Sequence, residues 1–191
     1  HRVLTADAPT LAALSRLDAV LIGGAATPPA LVEAARERGL PLVLTYGMTE
    51  TCGGCVYDGR PLDGVEVEVD DDGIRLAGPM LARGYLARPD LDAAAFTTAD
   101  GRRWFRTRDL GILEGGRLTV LGRSDDVLVT GGVKVAPAAV EAALVGVPGV
   151  GEVCVVGVPD AEWGQAVTAV VVPRPDVPAP GLAELRQVGG Q

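Results

Sequence analysis

The chain has 191 residues, of which 48% are hydrophobic, and it carries a formal net charge of −8. This composition supports a packed core and differs from that of disordered chains. The acidic balance argues against nucleic acid and anionic membranes as partners, and no apolar run approaches the ~20 residues that span a bilayer.

The residue inventory restricts the available chemistry. The only histidine is His1 and the only lysine is Lys134, so Ser-His-Asp catalysis and histidine-ligated metal sites are excluded. Three cysteines do not predict a disulfide framework. The first residues, His1–Leu4, contain neither an initiator methionine nor a signal-peptide pattern. We therefore expect the interior of a longer cytoplasmic protein.

Residues 19–45 predict a strand, a crossover helix and a second strand. Thr27 is predicted to be the N-cap, with Pro28 at the first helical position, and Gly39 ends the helix. The two strands are predicted at 19–22 and 42–45. This βαβ pattern implies parallel strands with a right-handed crossover.

Residues 56–121 predict an antiparallel subdomain. Val65, Val67 and Val69 alternate with acidic residues, as in a strand with one wet face. The turn at 70–73 and a second hairpin over 112–121 continue the pattern.

After a polar break at 123–126, the sequence predicts a smaller α+β segment. Its strands are predicted near 127–130, 153–158 and 167–172, with a helix near 137–145 that Pro137 opens. A proline-rich stretch follows, and a final helix begins near Leu182.

Two polar loops follow the predicted parallel strands, at Gly23–Ala26 and Tyr46–Glu50. Ligands bind beyond the carboxyl ends of such strands. The glycines permit close backbone approach, and Tyr46 offers a flat face to a base. Thr49 offers a hydroxyl to a phosphate, and Glu50 offers a carboxylate to Mg²⁺. The alternative is two ordinary turns.

Five motifs occur in a defined order along the chain. They are Gly23-Gly24-Ala25, Tyr46-Gly47-Met48-Thr49-Glu50, Gly78-Pro79 with Gly84-Tyr85, Thr107-Arg108-Asp109, and Gly122-Arg123-Ser124-Asp125-Asp126 followed by Gly132, Pro137 and Glu141. In order and spacing they resemble the motifs of the adenylate-forming (AMP-binding) superfamily of acyl-CoA synthetases, luciferases and peptide-synthetase adenylation domains.

The resemblance implies a mixed α/β and α+β fold in three parts. Residues 1–122 would be the C-terminal part of the large AMP-binding domain, a parallel βαβ unit joined to the antiparallel subdomain. Residues 123–126 would be the hinge, and 127–191 would be a truncated small C-terminal domain.

The resemblance also implies roles for individual residues. In the catalytic group, Thr49 would contact phosphate, Glu50 would bind Mg²⁺, and Arg123 would reach the ribose or phosphates. The remaining nucleotide and CoA contacts would come from Gly23, Gly24, Ala25, Tyr46 near adenine, Gly47, Asp109 on both ribose hydroxyls, and Gly132 beside the pantetheine tunnel. Asp125 would be the hinge residue.

Three departures from the family pattern affect what the chain can do. Arg108 replaces the usual glycine before Asp109. The phosphate loop with its lysine, and the late catalytic lysine, are absent from the 191 residues. Lys134 does not replace the latter and is predicted to be a solvated surface residue. We therefore expect no ligase turnover from this chain alone.

The resemblance implies an ATP-dependent reaction with Mg²⁺ and CoA that activates a small carboxylic acid. The stretch from Thr51 to Gly64 resembles o-succinylbenzoate–CoA ligases of menaquinone biosynthesis, particularly the actinobacterial kind. The alternatives are a ligase for another aromatic or fatty acid, an adenylation domain that loads a carrier protein, and a non-catalytic scaffold. A homo-oligomer is left open.

Two further residue sets have competing interpretations. Cys52 and Cys55 form a C-x-x-C motif that zinc or redox chemistry uses, but they have no second pair and follow Glu50, where the family lines its acyl pocket. Trp104, Phe105 and Trp163 are predicted to be packing residues.

Overall fold

The computed structural model describes residues 6–175 and 177–189. The chain divides into two compact units between Val120 and Leu121. The predictions made for His1–Leu4 and for the end of the small domain at 190–191 lie outside the described residues. Within the described part, no helix has the length and apolar character needed to cross a membrane.

The first unit combines a mixed sheet with antiparallel strands. Its described helices are α1 (Ala8–Leu14), α2 (Pro29–Glu37) and α3 (Pro89–Ala95). The mixed sheet contains β1 (Val20–Ile22), β2 (Leu42–Met48), β3 (Gly53–Tyr57) and β4 (Arg60–Pro61). The antiparallel strands are β5 (Glu66–Asp70), β6 (Gly73–Ala77), β7 (Phe96–Ala99), β8 (Arg102–Arg106), β9 (Asp109–Glu114) and β10 (Arg117–Arg123), which runs across the boundary.

The predicted βαβ unit is present. Strands β1 and β2 are parallel, with Val20 opposite Leu42, and α2 connects them. Helix α2 buries Val32 and Ala35 against Leu40 and Leu42. The apolar stripe of the helix thus holds the crossover against the sheet.

The prediction that Thr27 caps α2 is wrong. Pro28 occupies the N-cap with ψ 133°, no side chain caps the helix, and Pro29 is the first helical residue. A residue that precedes proline is disfavoured in the helical region. Pro28 therefore remains extended, and the helix begins one residue later than predicted.

Strand β2 is also longer than predicted, because it continues through Tyr46 and Gly47 to Met48. This second half pairs antiparallel with β3, with Tyr46 opposite Val56. Tyr46 and Gly47 therefore lie in a strand and not in a loop. The predicted boundary at residue 56 between parallel and antiparallel parts is wrong, because one mixed sheet contains both.

The predicted hairpin of β5 and β6 forms, with Asp70 opposite Gly73. The sheet has the order β5-β6-β8-β7, and β9 pairs with β10. Ile74 and Leu76 on β6 are 0% exposed and form a core with Cys55, Val56 and Leu118. This core joins the mixed sheet to the antiparallel strands.

The second unit has the predicted α+β composition. Its described elements are β11 (Leu128–Thr130), β12 (Val133–Val135), α4 (Pro137–Val145), β13 (Val150–Asp160), β14 (Gly164–Pro173) and α5 (Leu182–Gly189). Strands β13 and β14 form an antiparallel hairpin that is longer than predicted. Leu144 and Val155 lie in the core of this unit. Oε1 of Glu141 accepts a 2.8 Å hydrogen bond from the Val155 N–H, which connects α4 to β13.

Candidate active site

The turn after β2 is fixed by a buried hydroxyl. Thr51 is 2% exposed. Its Oγ1 accepts the Met48 N–H at 2.9 Å and lies 2.7 Å from the Gly53 carbonyl oxygen. This 3₁₀ turn, Thr49–Thr51, leaves Thr49 exposed and Glu50 half-buried. The two predicted phosphate and Mg²⁺ residues thus stand at the end of β2.

Glycine is required at position 47 for packing. A Cβ there would lie 2.0 Å from the Gly53 carbonyl oxygen. Gly47 therefore lets β2 and β3 approach closely at their irregular pairing. The structure gives this residue a role within the sheet, and its predicted contact with nucleotide stays a prediction.

The loop Gly23-Gly24-Ala25 follows β1 and is exposed. A Cβ on Gly23 would lie 2.1 Å from Oγ1 of Thr45, whereas Gly24 has a positive φ of 87° and open space around it. Gly23 thus permits close packing on β2, and Gly24 permits the turn. The loop lies beside β2, at the edge of the sheet that the sequence predicted.

Tyr46 and Asp109 meet although 63 residues separate them. The Tyr46 hydroxyl donates a 2.7 Å hydrogen bond to Oδ2 of Asp109. Burial, followed by this bond, raises the pKa of Tyr46 far above its ordinary value, so the phenol stays neutral and remains a donor. The ring's predicted contact with adenine stays a prediction.

Thr107 holds the backbone of Asp109. Its buried hydroxyl donates to the Ile74 carbonyl oxygen at 2.8 Å and accepts the Asp109 N–H at 3.0 Å. These two hydrogen bonds therefore fix the backbone of the Thr-Arg-Asp motif. Arg108, which replaces the family's usual glycine, is exposed and does not disrupt it.

A second tyrosine, Tyr85, holds the carboxylate of Glu50. The Tyr85 hydroxyl donates a 2.7 Å hydrogen bond to Oε1 of Glu50. Burial, followed by this bond, raises the pKa of Tyr85 to about 12. The sequence motif contains Tyr85 but indicates no role for it. The motif position was the available signal, but it did not name the partner.

The residues present fit a Mg²⁺ ion. Mg²⁺ is usually held by one or two carboxylates together with substrate phosphates and water. Among the residues that the structure describes, no group of three or more His, Cys, Asp or Glu side chains forms a metal cluster. Glu50 with the neighbouring Thr49 hydroxyl suits a cation that arrives with a nucleotide.

In the second unit, Arg123 and Asp125 form a bidentate ion pair. The Arg123 Nε and Nη2 donate to Oδ1 and Oδ2 of Asp125, both at 2.8 Å. Both residues are exposed and stand at the bend before β11. The predicted hinge residue and the predicted phosphate-binding arginine are therefore partners.

Gly132 lies in the turn between β11 and β12, and Lys134 lies in β12. Gly132 has a φ of 83° with open space around it, so the turn conformation explains the glycine. Lys134 is exposed, as predicted. The pantetheine contact of Gly132 stays a prediction.

The remaining candidates, the two cysteines and three aromatic residues, differ in burial. Cys52 is an exposed free cysteine, whereas Cys55 is a free cysteine buried in the core. Trp104 and Phe105 are buried as predicted. Trp163 was predicted to be a packing residue; it packs on Gly131 at the surface and is 53% exposed.

A groove of about 580 Å³ beside β5 and β9 contains none of the predicted site residues. Its lining includes Asp70, Asp71 and Ile112. We assign the candidate site to the end of β2. There Tyr46 holds the carboxylate of Asp109 and Tyr85 holds that of Glu50, which is a more specific arrangement than a groove with an acidic rim.

Two family models match the chain. The model for AMP-binding enzymes matches residues 1–86, and the model for the AMP-binding enzyme C-terminal domain matches residues 139–188. A Mycobacterium tuberculosis protein named probable 2-succinylbenzoate–CoA ligase is 47% identical over 189 residues, which are 97% of this chain and 48% of the relative. The chain thus spans about half the length of that relative.

Solved structures agree with the sequence relatives. Bacillus subtilis o-succinylbenzoate coenzyme A synthetase, in complex with ATP and magnesium ion, has a TM-score of 0.73 and 31% identity, covering 93% of this chain and 43% of that one. The amide bond synthetase McbA K483A mutant from Marinactinospora thermotolerans has a TM-score of 0.81 and 31% identity, covering 99% and 42%. The chain belongs to the family of AMP-binding, adenylate-forming enzymes.

Proposed function

We propose that this chain is the C-terminal part of an ATP-dependent, AMP-forming o-succinylbenzoate–CoA ligase. The observation that carries the proposal is the hydrogen bond between Tyr46 and Asp109. It brings the predicted ribose ligand to the strand that ends in the predicted phosphate and Mg²⁺ residues. The similarity to 2-succinylbenzoate–CoA ligases supports the choice of acid.

We propose the following division of the chain. Residues 1–122 belong to the large AMP-binding domain, 123–126 form the hinge, and 127–191 belong to the small domain. The division of the chain between Val120 and Leu121 supports this assignment. A cytoplasmic location, where ATP and CoA are available, is part of the proposal.

In the first step of the proposed reaction, a carboxylate oxygen of the acid attacks the α-phosphorus of ATP, and pyrophosphate leaves. Asp109 accepts hydrogen bonds from the two ribose hydroxyls, since one carboxylate can accept both. Tyr46 keeps that carboxylate oriented and its ring lies near adenine. The loop Gly23-Gly24-Ala25 and Gly47 form the wall of the nucleotide site.

The triphosphate is held at the turn after β2. Thr49 donates its hydroxyl to a phosphate oxygen, and Glu50 holds Mg²⁺, which neutralises charge on the phosphates when it is bound. Arg123 approaches the ribose or phosphates from the hinge. Glu50 is held by Tyr85 before the reaction, and such preorganised charge stabilises the transition state.

In the second step, the thiol of CoA attacks the acyl carbon of the acyl-AMP, a thioester forms, and AMP leaves. Gly132 lies beside the pantetheine in this state. Asp125 is the point at which the small domain turns between the two steps.

A second candidate function shares the first step and changes the acceptor. The similarity to an amide bond synthetase over 99% of this chain favours it. In that case an amine, in place of the CoA thiol, would attack the acyl-AMP. The two candidates differ only in the product of the second step.

The test is an assay of the full-length ligase that contains this chain. It measures release of pyrophosphate with o-succinylbenzoate, and the product with CoA or with amines. We expect o-succinylbenzoyl-CoA. Formation of an amide in preference to the thioester would replace the first candidate with the second.

A further inference from the structure

The segment Ala82–Tyr85, which we name the brace loop, contacts Glu50 twice. The Ala82 N–H donates a 2.8 Å hydrogen bond to the Glu50 carbonyl oxygen. The Tyr85 hydroxyl donates a 2.7 Å hydrogen bond to Oε1 of the same residue. The brace loop therefore holds both the backbone and the side chain of Glu50.

One side of the brace loop is anchored by Arg103. Its Nη1 and Nη2 donate to the carbonyl oxygens of Ala82 at 2.6 Å and Arg83 at 2.9 Å. The same guanidinium lies over the ring of Phe96, 3.9 Å from its centre. A planar cation that bonds two successive carbonyl groups fixes the path of the loop.

The other side is anchored by Asp92 on α3. Its Oδ1 accepts the Tyr85 N–H at 2.6 Å. A Cβ on Gly84 would lie 2.5 Å from Oδ2 of Asp92, and Gly84 has a φ of 152°. Glycine at this position therefore admits the carboxylate.

The Tyr85 ring is supported from within the unit. It packs on Phe96 with the ring centres 5.9 Å apart, and Phe96 packs on buried Phe105 at 5.1 Å. The orientation of the phenol is thus set by packing, and its hydroxyl is aimed at Glu50.

We infer that Tyr85 is a positioning residue for Glu50, which it orients as the Mg²⁺ ligand; this inference rests on the proposed function. The physical reason is the charge of the donor. A lysine or arginine would orient the carboxylate but would also compete with the cation. The Tyr85 hydroxyl is a neutral donor, so its bond to Oε1 orients the carboxylate of Glu50 without adding a positive charge.

The test uses the full-length ligase with Tyr85→Phe, which keeps the ring and removes only the hydroxyl. The first measurement is the affinity for Mn²⁺, as the probe for Mg²⁺, by electron paramagnetic resonance with a non-hydrolysable ATP analogue. The second is the affinity for AMP without divalent ion. We expect Mn²⁺ binding to weaken about tenfold and AMP binding to stay unchanged.

The matched control is Tyr46→Phe, which removes the other phenol hydroxyl of the site. We expect the opposite pattern there, with weaker AMP binding and, at a saturating concentration of the ATP analogue, unchanged Mn²⁺ affinity. A merely structural role of Tyr85 would lower both affinities together, and that result would overturn the inference. Circular dichroism of each variant checks that the fold is intact.

The inference and the proposed function fail in different ways. Wild-type ligase that binds no Mn²⁺ with the ATP analogue would contradict the proposed function. Wild-type ligase that binds Mn²⁺ tightly, with an equal affinity in Tyr85→Phe, would contradict the inference alone.

Discussion

The hydroxyl of Tyr46 donates a 2.7 Å hydrogen bond to Oδ2 of Asp109. This bond joins the end of β2 to the start of β9. One oxygen of Asp109 is thereby oriented by a neutral group, while Thr107 holds its backbone. The phenol adds no positive charge beside this carboxylate, which suits the proposed role of Asp109 as the ribose ligand.

Asp109→Ala in the full-length ligase should weaken binding of ATP strongly. Each charge-assisted hydrogen bond contributes about 1.5–3 kcal/mol, and Asp109 is proposed to make two with the ribose. We expect a loss of affinity of at least ~100-fold, measured by calorimetry and by the KM for ATP. Asp71→Ala, which removes an exposed carboxylate of the same unit, is the control. An unchanged affinity in Asp109→Ala would show that this residue is not the ribose ligand.

Tyr46→Phe should reduce the loss of stability of this chain at alkaline pH. The pKa of Tyr46 is raised by burial and by Asp109 from its ordinary value of 10.0. The unfolded chain therefore releases this proton first as pH rises through 10, and the free energy of unfolding falls.

Urea unfolding at pH 9 and pH 11 measures this effect. We expect the decrease in the free energy of unfolding to be smaller in Tyr46→Phe by about 1 kcal/mol. Equal decreases in wild type and variant would mean that the phenol titrates normally in the folded chain.

Asp125→Pro in the full-length ligase should uncouple the two steps. Proline fixes φ near about −65° and removes a backbone donor, so the small domain would be restricted to one orientation. Pyrophosphate release in a single turnover should survive if the adenylating orientation is the one retained. Thioester formation from added acyl-AMP and CoA should fall by orders of magnitude.

The ion pair between Arg123 and Asp125 requires a control for this experiment. Asp125→Ala also breaks the ion pair but leaves the backbone free to rotate. It should retain both steps far better than Asp125→Pro. Equal loss of both steps in Asp125→Pro would assign the residue to stability or to ATP binding.

The sequence predicted those parts of the fold that local patterns encode. Alternation of Val65, Val67 and Val69 predicted β5 and its hairpin with β6, which the structure confirms. The predicted cap of α2 was wrong. Thr27 has a suitable N-cap side chain, but Pro29 disfavours a helical conformation at Pro28, so Pro28 becomes the N-cap. Strand β2 was underestimated because its second half pairs with β3, a contact with no local pattern.

The candidate site shows the same division between local and long-range information. The motifs predicted Glu50 and Asp109 as individual side chains. Their partners, Tyr85 and Tyr46, lie 35 and 63 residues away in sequence. Hydrogen bonds over such separations depend on how the strands pack, which neither periodicity nor motif spacing specifies.

The full-length ligase should prefer o-succinylbenzoate to benzoate and to medium-chain fatty acids. The resemblance of residues 51–64 and the identity of 47% to the Mycobacterium tuberculosis relative motivate this expectation. The kcat/KM for each acid, with saturating ATP and CoA, checks it. A higher kcat/KM for a simple fatty acid would reject the substrate while leaving the reaction class intact.

The central claim is that this chain carries part of the nucleotide site of an acid-activating ligase. The most direct measurement is pyrophosphate release from ATP by the full-length protein with o-succinylbenzoate, compared with Asp109→Ala and with the 191-residue chain alone. We predict acid-dependent pyrophosphate release from the full-length protein, a severe loss in the variant and none from the chain alone. No acid-dependent release from the full-length protein, or equal release from the variant, would contradict the claim.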